Sequence, residues 1–206
     1  MALKIYGLPR SRAIRNMWAC EEGGVAYELV RTSWNDGGTK TPEFLKLNPN
    51  AAVPVMDDDG FPLFESLAIN LYIGKNKAKG LYPTDAKGEA KLWQWTLWAA
   101  TELEPHNGAY AANTYMLAPE KRDPAVAAAA WTKLSKALGV LDQHLAAQPW
   151  MLGGSFSLAD INVSGILLSI YLNNADFSAW KNTKAWLDRC FDRPAAKKII
   201  AARAAS

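Results

Sequence analysis

A chain of 206 residues, half of them hydrophobic and 21% charged, is long enough to bury a core and to divide into two small domains. Its net charge of +3 comes without a long Lys/Arg block, which argues against a nucleic-acid-binding tract, and no stretch approaches the roughly 18 uninterrupted apolar residues of a membrane helix. Cys20 and Cys190 stand far apart, without CxxC spacing or an adjacent His, so neither a metal site nor a disulfide framework is expected; the polar opening "MALKIYGLPR" lacks a signal-peptide core, and a cytoplasmic protein is expected.

In chain order, "LKIY" reads as a short strand, Ser11 to Gly24 as a helix with a glycine stop, and "AYELVRT" as a second strand. A loop and the short helix "PEFLKL" lead to "VPVM" and "FPLF", two strands joined across the acidic turn "DDDG", where glycine makes positive φ cheap. "ESLAINLYIGKN" then has helical spacing in Leu67, Leu71 and Tyr72. The order βαβ followed by ββα predicts one mixed sheet with helices against it over residues 1–79. "KGLYPTDAKG" has the Gly, Pro and polar content of a linker, placed at 80–87. From 88 to 206 strand signals vanish and helices are expected at 89–117, 124–147, 157–172, 181–191 and 194–204. Pro124 at a first helical position and the capping-box variant "SLAD" mark two of the starts.

Three stretches of the first half carry the chemistry together: Ser11 at a helix start, Val53-Pro54 inside an apolar run, and Glu65-Ser66 before another helix. A serine before a helix serves as a cap in the ordinary case, and Glu65-Ser66 admits the same reading. Pro54 cannot donate to a ladder, which suits an edge strand or a cis turn. An edge strand beginning at a cis proline leaves the backbone of Val53 free to bind an extended peptide as an added strand. Two helix starts offer N–H groups to anions. A short, doubly acidic peptide fits such a site.

The order "YGxxxS", "NPxxxVPV", "FES" and, in the helical half, "GGSFSLADI" resembles the glutathione S-transferase family along essentially the whole chain, as a serine-type, bacterial-like cytosolic member. The resemblance implies a thioredoxin-like glutathione-binding domain at 1–79 and an all-helical domain at 88–206. It implies glutathione as co-substrate, a small electrophile as second substrate, and a homodimer formed by the helix near Glu65 and the first long helix of the second half. Ser11 is then the catalytic residue, its hydroxyl donating to the glutathione sulfur. A thiol of pKa about 8.5 is only a few per cent ionised near pH 7, so the anion needs such a partner. Val53, with Pro54 cis, pairs with the cysteinyl part; Glu65 and Ser66 hold the γ-glutamyl end; Lys40 either contacts the glycine carboxylate or is a solvated loop lysine. Ala52 stands where many members have a polar side chain. Pro9, Arg10, His106, Tyr110 and Tyr115 are candidates for the second substrate. A non-catalytic interaction or carrier protein of the same fold, and a glutathione-dependent isomerase or dehalogenase, are the alternatives; peroxide reduction shares the thiolate site.

Overall fold

The computed structural model describes residues 3–206, and the chain divides into two compact units: Met1–Pro83 with Phe191–Ser206, and Thr84–Cys190. The first unit runs β1 (Leu3–Gly7), α1 (Ala13–Gly23), β2 (Tyr27–Arg31), a 3-10 turn (Gly38–Lys40), α2 (Pro42–Leu47), β3 (Val55–Asp58), β4 (Phe61–Phe64) and α3 (Ser66–Asn76). The four strands lie in the order β2-β1-β3-β4. β1 pairs parallel with β2, Ile5 opposite Leu29, and antiparallel with β3, Ile5 opposite Met56. The parallel pair needs the α1 crossover, whereas β3 and β4 are joined by a two-residue turn. In that turn Asp59 (φ 55°) and Gly60 (φ 86°) are both left-handed, and the Asp57 carboxylate accepts from Gly60 N–H at 2.7 Å. This is the hairpin read from "DDDG".

One expectation is corrected here. The strand containing "VPVM" is not at the edge: β3 is paired on both sides, and its ladder begins at Val55, after the proline. The edge belongs to β4, where Pro62 sits opposite Asp57 and the missing N–H does no harm. Pro54 is accommodated because it lies outside the ladder.

Ile5, Val55 and Met56 from the sheet, Trp18 and Cys20 from α1, and Ile69 and Ile73 from α3 are all fully buried. Burial, with Glu21 beside it, pushes the Cys20 thiol up to about 12, so it stays protonated and unreactive at neutral pH. Cys190 is equally inaccessible. Ellman's reagent at pH 8 is therefore expected to titrate no thiol in the native protein and two after denaturation; rapid native labelling of one equivalent would contradict this burial.

The second unit begins with α4 (Ala86–Trp98) and continues through a π turn (Ala99–Leu103), α5 (Glu104–Ala111) and a second π turn (Ala112–Met116). What reads as one helix over 89–117 is thus interrupted twice, and Pro105 explains the first break, since it has no N–H for a continuous α ladder. α6 (Pro124–Ala146), α7 (Leu158–Leu172) and α8 (Lys181–Asp192) follow. Asp123 caps α6 by accepting from Ala125 and Val126 N–H. α7 is buried on nearly every side, as its apolar sequence requires, and its start is held by the capping box of Ser157 and Asp160.

The last helix, α9 (Pro194–Ala204), belongs to the first unit rather than to the helical one. It packs on α1. The reason is electrostatic as well as apolar: Arg193 pairs with the mostly buried Glu22, Lys198 Nζ lies 2.7 Å from Glu21, and Phe191 packs on Trp18 at 5.8 Å between ring centroids.

Candidate functional site

The turn between β1 and α1 builds the first part of the site. Gly7 has a φ of 150°, and a Cβ there would lie 2.7 Å from Ala13 Cβ, 3.2 Å from Ser11 Oγ and 3.5 Å from Val53 Cβ. Only glycine permits this approach. The same three distances show that Ser11 and Val53, 42 positions apart in sequence, converge over the end of β1.

Ser11 is half-buried, and its hydroxyl is already employed. It donates to Leu8 O at 2.7 Å and accepts from Leu8 N–H at 3.3 Å and Ala13 N–H at 3.1 Å. Helix α1 proper starts at Ala13, two residues after the expected position, so Ser11 holds the turn that delivers the chain into the helix. Its single proton can reach a thiolate only by rotating away from Leu8 O. Ser11 therefore caps the turn, and its side chain is only half-buried.

The Val53–Pro54 peptide is cis, and Val53 lies outside the strand ladder. The loop that presents it is tied down from behind: Asn48 Nδ2 donates to Ala52 O at 2.7 Å, and Asn48 Oδ1 accepts from Asn50 N–H at 3.0 Å. Ala52 is exposed and brings no polar group.

At the start of α3, Glu65 takes a left-handed backbone (φ 73°, ψ 111°), costly for a residue with a Cβ and concentrated in proteins at binding sites. Its carboxylate is exposed, while Ser66 is buried. Beneath Ser66 lies a polar network that the sequence reading did not assign. Arg15 donates to Ser66 Oγ at 3.2 Å, and Asn16 Nδ2 donates to Ser66 O at 2.8 Å and to Asn70 Oδ1 at 2.7 Å. Arg15, Asn16 and Asn70 are all buried. A guanidinium under a helix start adds fixed positive charge where an anion would bind. "RAIRNMW" gave no separate signal for them, because every position from Ala13 to Cys20 is buried and no single face of α1 stands out.

Lys40 closes the 3-10 turn and is exposed. Arg10 is exposed and its Nε donates to Arg203 O at 3.4 Å, at the end of α9, a favourable place for a cation. His106 is half-buried on α5, Tyr110 packs on Trp131 at 4.7 Å between centroids, and the Tyr115 hydroxyl is 2.9 Å from Ser169 Oγ. His144 packs on Trp95 at 4.3 Å, and its Nε2 lies 2.9 Å from Met151 O and 2.7 Å from Gln148 Nε2. Among the described residues no cluster of His, Cys, Asp and Glu could hold a metal ion.

The model of the glutathione S-transferase amino-terminal domain matches residues 1–75, and that of the carboxy-terminal domain residues 104–194. Glutathione S-transferase 3 of Zea mays is 32% identical over 214 residues, covering 97% of this chain and 94% of the maize protein. The chain belongs to the glutathione S-transferase family. A theta class glutathione S-transferase from the citrus canker pathogen Xanthomonas axonopodis pv. citri, solved with glutathione bound, superposes with a TM-score of 0.90 at 30% identity over 96% of each chain. Elongation factor 1-gamma 2 of Oryza sativa subsp. japonica is 36% identical over 166 residues, covering 78% of this chain but 38% of that longer protein. The chain thus spans less than half the length of the elongation-factor relatives it matches. No helix among the described residues is long and apolar enough to cross a membrane.

Proposed function

We propose that this chain is a serine-type glutathione transferase, in which Ser11 rotates its hydroxyl from Leu8 O to the glutathione sulfur and stabilises the thiolate for attack on an electrophilic carbon. The observation that carries the reading is the convergence of Ser11 Oγ and Val53 over Gly7. It brings a hydroxyl donor beside a backbone that lies outside the sheet ladder, the combination a cysteinyl residue needs. Glu65 takes the α-amino group of the γ-glutamyl end, and Ser66 takes its carboxylate, supported from below by Arg15. Lys40 takes the glycine carboxylate. Arg10 and His106 are carried forward for the second substrate on the resemblance alone. The test is a thiolate absorbance titration of bound glutathione together with conjugation to a reactive aryl halide; neither a thiolate band near neutral pH nor conjugation would remove the reading.

The likeness to elongation factor 1-gamma supports a second reading, an interaction or carrier role for the same fold, because fold does not determine function. Glu65, exposed on a left-handed backbone beside the buried Arg15–Ser66 pair, favours the transferase, since a scaffold gains nothing from that strain.

Lys40→Ala is expected to weaken glutathione binding by about 0.2–1 kcal/mol at low salt, an exposed ammonium-to-carboxylate contact being worth no more, and the loss should shrink as salt rises. Calorimetric titration at two ionic strengths reads this directly. No loss at low salt returns Lys40 to a solvated loop residue.

We also infer a homodimer. Phe61 and Phe64 in the first unit are 50% and 36% exposed, and Trp93 and Leu97 in the second 47% and 66%, large apolar surfaces that a monomer leaves in water. Light scattering should give twice the 22.6 kDa of one chain; a monomer at micromolar concentration would contradict it.

A further inference from the structure

Three aromatic rings, one carboxylate and three alanines line a cleft of about 450 Å³ lying wholly within the second unit. Tyr110 comes from α5, Trp131 from α6, and Asp176 and Trp180 from the segment between α7 and α8. The Tyr110 and Trp131 rings are 4.7 Å apart and tilted by 40°; Trp131 and Trp180 are 5.9 Å apart at 70°, edge to face. All three rings are half-buried, so this is not a closed core cluster but an aromatic wall that still meets solvent. The alanines reach no further than Cβ, and the rings, packed on one another, remain partly exposed.

Asp176 supplies the charge. Its Oδ1 accepts from Ser178 N–H at 2.8 Å, which orients the carboxylate and favours its ionised form. No Lys or Arg lines the cleft. An anion is repelled by the carboxylate and finds no donor side chain of opposite charge. Asp176 is itself exposed, so a neutral apolar ligand gains nothing from its charge. An organic cation satisfies both features, because aromatic faces are negative and attract ammonium groups, the more so when desolvated. The volume lies in the range of small-molecule sites, about 300–1,000 Å³. Tyr110 sits between the two π turns, a helical irregularity that recurs at functional sites.

We propose that this cleft binds a small organic ammonium cation, its alkylated head against Tyr110, Trp131 and Trp180 and its charge countered by Asp176. The site is separate in composition from the glutathione-binding residues, and its occupancy does not depend on transferase activity.

The experiment follows tryptophan fluorescence of the full chain titrated with choline and with its neutral isostere 3,3-dimethylbutan-1-ol. Choline is expected to saturate in the low millimolar range or below, at least about tenfold tighter than the alcohol. Asp176→Asn keeps an oxygen for Ser178 N–H, and should weaken choline about threefold while leaving the alcohol unchanged. Raising salt on the wild-type protein should weaken choline alone, a second reading that needs no variant. Failure of choline to saturate, equal affinity for the two compounds, or choline binding indifferent to both Asp176→Asn and salt would each overturn the proposal.

Discussion

Asp160→Ala is expected to cost about 3–5 kcal/mol of stability and to lower the melting temperature by about 10 °C. The carboxylate of Asp160 is completely buried and accepts four bonds: Met151 N–H at 2.9 Å, Ser157 N–H at 2.9 Å, Ser157 O–H at 2.9 Å and Trp186 Nε1–H at 2.8 Å. Burial pushes its pKa up, and the four donors, which favour the ionised form, pull against that rise. Removing the side chain strands all four donors in the interior, where each unsatisfied group costs about 1–3 kcal/mol before local relaxation. Three segments come loose together, because one residue joins the start of α7, the loop at Met151 and the side of α8. Asp160→Asn keeps one acceptor oxygen and should lose about half as much. Thermal melts followed by circular dichroism check both values; a drop under about 3 °C for the alanine variant would mean that these bonds are replaced by water at little cost.

The strength of that network was legible in "GGSFSLAD", since a Ser followed three residues later by an acid marks a helix start. Its reach to Trp186 was not, because nothing local pairs positions 26 residues apart. The same division runs through the fold. The order of elements in the first unit follows from apolar alternation, the glycine stop at Gly24 and the "DDDG" turn, all of them local signals. Strand order depends on which edges meet, which is why Pro54 suggested an edge that belongs to β4 and Pro62. Pro105 stands inside the segment read as one helix over 89–117 and was not used to divide it, and the compensating π turns depend on packing against neighbours. At the site, Ser11, Val53-Pro54 and Glu65-Ser66 were visible through turn and capping chemistry. Arg15, Asn16 and Asn70 were not assigned, because a polar residue turned inward looks like any other polar residue until its partner on another helix is known.

The second large effect is that of Ser11→Ala on chemistry. Two contributions separate cleanly. Losing the bond from Ala13 N–H to Ser11 Oγ is the loss of a turn cap, worth about 1 kcal/mol of stability. Losing a donor to the thiolate is worth about 1.5–3 kcal/mol on the ionised form alone, which raises the bound thiol pKa by about one to two units. At neutral pH the thiolate fraction then falls by at most about 10- to 100-fold, and turnover with a reactive aryl halide should fall with it and recover in part at higher pH. Glutathione affinity near neutral pH should change little, because Val53, Glu65 and Ser66 still hold the neutral thiol form. Ser11→Cys should not restore turnover, a thiol being the weaker donor.

The most direct measurement is therefore the pH titration of thiolate absorbance for glutathione bound to the wild-type protein and to Ser11→Ala, side by side. The wild-type curve is expected to have its midpoint below the free-thiol value of about 8.5, and the variant's to lie about one to two units higher. Superimposable curves would contradict the assignment and leave Ser11 as the residue that bonds Leu8 and Ala13 and nothing more.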